Sequence, residues 1–141
     1  MQRGEFEQIV QDAWQQIPRR FRREIHNLAV VVEDEPSRDQ LRSPGVRPGD
    51  TLLGLYQGVP LTQRGPWYGM VLPDKISLFQ GPIERAARRP EDIPRIVYDT
   101  LWHEVAHYFG MNEGQVRRAE RRRREWYHQN SKPGGTECSE D

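Results

Sequence analysis

Phe6, Ile9, Val10, Ala13, Trp14 and Ile17 stand at i, i+3, i+4, i+7, i+8 and i+11 along an otherwise polar stretch. That period predicts an amphipathic helix over 5–17. Pro18 ends it or begins a second short helix, in which Phe21, Ile25 and Leu28 continue the apolar face. Leu28-Ala29-Val30-Val31-Val32 is a β-branched run that reads as a buried strand, stopped by the acidic Glu33-Asp34-Glu35-Pro36. Between Ser37 and Asp50, Pro44, Gly45, Pro48 and Gly49 predict a loop, with one helical turn after Ser37. Thr51 to Tyr56 predicts a second strand, closed by Gly58-Val59-Pro60, and 61–66 a polar turn. Trp67 to Leu72 and Lys75 to Phe79 predict a hairpin turning at Pro73-Asp74.

Gly81-Pro82 then opens a short helix through about Arg88, with proline at a tolerated first-turn position. Pro90 to Pro94 begins a longer helix that Gly110 is placed to end in the left-handed conformation. Asn112 and Gln115 form a capping pair for a last helix over 113–127, which carries Arg117, Arg118 and Arg121 to Arg124. Residues 129–141, with Pro133, Gly134, Gly135 and terminal acids, read as a disordered tail. Helices, then strands, then helices predict an α+β fold in one domain over 1–128, with helices packed on one small sheet.

Composition narrows the classes. With 141 residues, 35% of them apolar and 30% charged, the chain suits a single soluble domain with a lean core. A formal net charge of zero gives no global pull toward nucleic acid or an anionic membrane. Cys138 is the only cysteine, which excludes an intrachain disulfide. No apolar run follows Met1 and none approaches the length of a membrane span, so the expected compartment is the cytoplasm.

The chemistry is concentrated in His103-Glu104-Val105-Ala106-His107. On a helix, residues four apart share a face, so the two imidazoles are placed to grip one Zn²⁺. Glu104, one step round, is near enough to act as general base on a water at such a site. Two structural histidines on a half-buried helix are the bland alternative. The pattern continues to Gly110 and Glu113, where longer motifs of this type place a turn glycine and a third ligand. Glu113 is therefore the expected third ligand; Glu120 or Glu125 would serve instead if the last helix packs across the motif helix. No methionine follows Met111, so the Met-turn of metzincins is missing.

Four blocks in one order carry a resemblance: Ala29 to Pro36, Leu53 to Thr62, Ile76 to Ile83, and the helix from His103 to Gly110. Over roughly residues 5–113 the chain resembles the small single-domain zincin-like metallopeptidases of bacteria. It departs from their pattern at Tyr108, where histidine is common, and at Asn112, where aspartate is common. The resemblance implies a zincin-like fold, a twisted mixed sheet beside the active-site helix, and zinc-dependent hydrolysis of peptides. It also implies that a substrate lies along the antiparallel edge strand preceding the last strand before that helix. In this sequence that points to Trp67 to Val71, with Gly69, Met70 and Val71 as the substrate-binding positions; the alternative is a plain hairpin strand whose aromatics fill the core.

The oxyanion that develops in such a reaction needs a donor besides zinc, and Tyr108, Tyr127 and His128 are candidates by chemistry. Two other classes compete with the peptidase. One is a non-catalytic, zinc-stabilised partner-binding module, against which Glu104 counts, because a structural site needs no base. The other is a nucleic-acid-binding protein that uses the Arg-rich helix, against which the scarcity of interleaved aromatics counts.

Overall fold

The computed structural model describes residues 1–43, 46, 49, 51–58, 74–110, 118 and 121. Its elements are α1 (Arg3–Gln16), α2 (Arg19–Arg22), β1 (Leu28–Glu33), α3 (Arg38–Leu41), β2 (Gly54–Gln57), β3 (Asp74–Phe79), α4 (Gln80–Ala86), a 3-10 turn (Pro90–Asp92) and α5 (Ile93–Tyr108). The strands form a three-stranded mixed sheet in the order β1-β3-β2. β1 runs parallel to β3, with Leu28 opposite Asp74 and Glu33 opposite Phe79. β2 runs antiparallel to β3, with Gly54 opposite Leu78 and Tyr56 opposite Ile76.

Alternation along the strands decides which face meets the helices. Leu28, Val30, Val32, Ile76, Leu78 and Tyr56 share one face and join the core. The helices bring to it Phe6, Val10 and Ala13 of α1, Ile83 of α4, and Ile93, Val97, Leu101 and Val105 of α5. On α5 these last four are spaced by four, so one row of the helix is committed to the core. Burying each such side chain contributes about 1.5–3 kcal/mol. α1 is fixed across the sheet by Arg3, whose Nε donates to Gln80 Oε1 (2.9 Å) and whose Nη1 donates to Val32 O (3.0 Å).

Several sequence expectations shift by a few residues. The short second helix stops at Arg22 and continues as turns to Ile25; Asn27 then takes a left-handed conformation (φ 58°) just before Leu28 enters β1. β2 starts at Gly54 and not at Thr51: Phe79 N–H still reaches Leu53 O (2.9 Å), but beyond Phe79 the partner strand turns into α4. Asp74, expected in a turn, is the first residue of β3, where its N–H donates to Asn27 O (3.1 Å). The expected strand over Trp67 to Leu72, the tail over 129–141 and most of the helix over 113–127 lie outside the described residues; Arg118 and Arg121 are helical and exposed. No helix among the described residues is long and apolar enough to cross a membrane.

The helical turn after Ser37 is present and is closed by a capping box. Gln40 N–H donates to Ser37 Oγ (3.1 Å) and Ser37 N–H donates to Gln40 Oε1 (2.8 Å). Gln40 is itself buried and donates to Glu33 Oε2 (3.1 Å), on the sheet face away from the main core. Burial pushes the Glu33 carboxyl up, but the Ser77 hydroxyl, Gln40 and the Lys75 ammonium outweigh it and hold Glu33 below its usual value of 4.5. Ser77 is fully buried and lies opposite Val31, which puts it diagonal to Glu33 on the same sheet face. A lowered carboxylate contributes stability that is present above the unfolded-state value and lost as pH falls through the folded one. Glu33→Gln is therefore expected to lower stability at neutral pH and leave it little changed well below pH 4.5, so that the acid limb of the thermal-stability profile flattens. Unfolding curves across that range, for both proteins, check it.

Candidate metal centre

α5 carries the site because its rows meet different surroundings. The row Val97, Leu101 and Val105 enters the core. The row Thr100, Glu104 and Tyr108, all buried, runs along β2. Next round the helix, beyond the row of Glu104 and away from the core row, stand His103 and His107, both half-buried. The helix begins at a 3-10 turn with Pro94 in its first turn, where no N–H is needed. It ends as the sequence predicts: Gly110 is left-handed (φ 87°) and its N–H donates to His107 O (2.9 Å).

Close approach of β2 to the helix depends on Gly54. A Cβ built there would lie 2.7 Å from Thr100 Cγ2, inside contact distance. Two residues on, Tyr56 N–H donates to Glu104 Oε1 (2.9 Å). That donor is available because of strand parity. The bond from Phe79 N–H to Leu53 O makes 53, 55 and 57 the residues whose backbone groups face β3. Gly54 and Tyr56 therefore turn their backbone groups to the opposite edge, toward the helix end that carries the motif.

His103, Glu104 and His107 each offer a ligand-type atom, and these atoms lie within 4.8 Å of one another. The two imidazole rings stand 5.0 Å apart, centroid to centroid, at 61°. A pair of imidazole nitrogens with a carboxylate close by is a donor set that suits zinc, so the residues present fit the metal. Phe21 buttresses the same end of α5, edge-on to Trp102 (5.0 Å) and to Phe109 (5.8 Å).

A family model of zincin-like metallopeptidases matches residues 25–123, which takes in β1 to β3, α5 and the whole of this cluster. The chain belongs to that family. Among solved structures, the zincin-like chain is similar to a conserved hypothetical protein from Thermus thermophilus, with a TM-score of 0.54 and 26% identity over 77% of this chain and 94% of that one. No curated protein matches it.

Of the residues expected from the sequence of this zincin-like protein, His103, Glu104 and His107 come together. Glu113, Glu120 and Glu125, the candidates for a third ligand, lie outside the described residues, as do Gly69, Met70 and Val71. The described antiparallel neighbour of β3 is β2. Among the candidate oxyanion donors, Tyr108 is corrected by its surroundings, and Tyr127 and His128 are outside the described residues. Tyr108 is fully buried; its hydroxyl accepts from His26 N–H (3.3 Å) and lies 3.4 Å from His26 O, so it braces the fold.

Three residues at the site escaped the sequence reading: Gly54, Tyr56 and Thr100. The spacing of four through Thr100, Glu104 and Tyr108 is the signal that would have marked a second buried row on the helix. Gly54→Ala is expected to push β2 off α5 and lower stability by about 1–3 kcal/mol, the usual penalty of overpacking. Chemical denaturation of the variant against wild type measures it; an unchanged midpoint would mean that the close contact with Thr100 carries no constraint.

Proposed function

We propose that this chain is a zinc-dependent peptidase in which His103 and His107 hold the metal, Glu113 completes the ligand set and Glu104 is the general base. The observation that carries the reading is the juxtaposition of His103, Glu104 and His107 on one helix, with the carboxylate held by a strand backbone. Bound zinc would supply Lewis-acid polarisation of the scissile carbonyl and a lower pKa for the attacking water. Glu104 takes a proton from that water and passes it to the departing amine nitrogen. Its burial, with 7% of its surface exposed, keeps bulk water from competing for the carboxylate.

The strand edge supports a peptide as the substrate class. Gly54 turns its backbone groups away from β3, and an extended peptide laid beside it would gain main-chain hydrogen bonds irrespective of its side chains, while the Tyr56 N–H stays engaged by Glu104. Gly69, Met70 and Val71 are proposed to continue that binding surface. Peptide, and not nucleic acid, is accordingly the proposed substrate.

The test is cleavage of a mixed-sequence peptide library by the zinc-loaded protein, followed by mass spectrometry, with and without a chelator. Cleavage that chelation stops and zinc restores is the expected result. A zinc-loaded, folded protein that leaves every peptide intact would turn the reading toward a zinc-stabilised binding module.

A further inference from the structure

Tyr56 is gripped at two points. Its main-chain N–H holds Glu104 Oε1 (2.9 Å), and its hydroxyl donates to Asp74 Oδ2 (2.6 Å), a length in the range of hydroxyl–carboxylate bonds. The two contacts are connected by register. Tyr56 lies opposite Ile76, so Asp74 is its diagonal neighbour on the same sheet face, a distance that an aromatic side chain spans.

Asp74 is an acid in an apolar row. It shares its face with Leu28, Ile76 and Leu78, and only 1% of its surface is exposed. Burying a carboxyl there is costly unless it is hydrogen-bonded, so its presence calls for a return. Gly58 supplies a second indication of what Asp74 does. A Cβ at Gly58 would lie 2.5 Å from Asp74 Cγ and 2.5 Å from Oδ1, so the chain leaving β2 is pressed directly onto the carboxylate. Asp74 thus holds β2 through the Tyr56 phenol on one side and meets the backbone of Gly58 on the other.

β2 needs such a clamp. It is a four-residue strand with one partner strand among those described. The Tyr56 ring also packs edge-on against Tyr108 (6.1 Å), which His26 braces in turn. A glutamate side chain has three rotatable bonds, and its carboxylate points where its hydrogen-bond donor stands.

We propose that Asp74 is a positioning residue for Glu104: by fixing the Tyr56 side chain it fixes the Tyr56 amide, and the amide fixes the carboxylate. This rests on the peptidase reading only for its catalytic consequence; the positional chain exists in the fold itself. Asp74 touches no reacting atom.

The experiment uses the full-length, zinc-loaded chain and its Tyr56→Phe and Asp74→Asn variants. NMR reads the shift and hydrogen exchange of the residue-56 amide, with Glu104→Gln as the reference for a weakened acceptor. Tyr56→Phe, which deletes one oxygen, is expected to speed exchange of that amide about tenfold, the scale of one hydrogen bond to a charged group. Peptidase kcat should fall by a similar factor while KM and zinc stoichiometry hold. Asp74→Asn keeps an acceptor and should fall between wild type and Tyr56→Phe. The double variant should be no worse than Tyr56→Phe alone, because both changes cut the same chain of contacts. A residue-56 amide unchanged in shift and exchange in folded Tyr56→Phe overturns the proposal, as does full additivity of the two variants. A wild type that cleaves no peptide counts against the peptidase reading alone, and the amide measurements then decide the clamp.

Discussion

Replacing His103 by alanine is expected to strip the protein of zinc. His103 and His107 are the two nitrogen donors that α5 sets side by side, and one imidazole without the other has no chelate. The loss is readable in stability as well as in metal content. A metal that binds only the folded chain stabilises it by about 4 kcal/mol when present at about a thousand times its dissociation constant. For a domain of this size that corresponds to a rise in Tm on the order of 10 °C. Wild type is therefore expected to hold about one zinc and to lose that increment on chelation. His103→Ala should hold none and unfold at one temperature with or without chelator. Because His103 is half-buried and outside the core row, its removal should cost little packing of its own. Elemental analysis with thermal unfolding checks both halves. Zinc retained at wild-type stoichiometry in His103→Ala would remove the centre from α5. Glu113→Ala, in the same assay, should weaken zinc retention without abolishing the fold.

Glu104→Gln is expected to reduce peptide hydrolysis by about 10²–10⁴-fold, the usual contribution of a positioned general base. Glutamine is the informative replacement. Its side-chain oxygen can still accept from Tyr56 N–H, so β2 stays docked on α5 while the proton acceptor is gone. Alanine would remove both functions and leave a strand amide without its partner, at a cost of about 1–3 kcal/mol. The pair of variants separates chemistry from architecture: both lose turnover, and alanine is the one that also loses stability. Initial rates on one cleaved peptide, beside denaturation midpoints and zinc content, check this. Wild-type turnover in Glu104→Gln would rule it out as the base.

What could be read in advance was what is periodic or local. The spacing of His103 and His107, the apolar row of α1, the β-branched run of β1, the Ser37 turn and the Gly110 stop are properties of neighbouring letters. What could not be read was set by partners far along the chain. Pro73-Asp74 has the letters of a turn, yet pairing with β1 draws Asp74 into β3. Tyr108 has the chemistry of an oxyanion donor, yet its burial commits the hydroxyl to the backbone of His26. The donor that holds Glu104 is a main-chain N–H, which every residue but proline carries; only register decides that Tyr56 presents it.

The contact between Tyr56 and Glu104 spans 48 residues, whereas the two histidines are one helical turn apart. Contact order predicts different stages of folding for the two. A turn of helix forms from local contacts, while joining β2 to β3 and α5 requires closing long loops and comes with the sheet as a whole. A nascent or partly unfolded chain can thus present a metal grip before it has a seated base. On the proposed reading, hydrolysis would wait for completion of the tertiary structure, because the Glu104 carboxylate is seated only once β2 packs against α5.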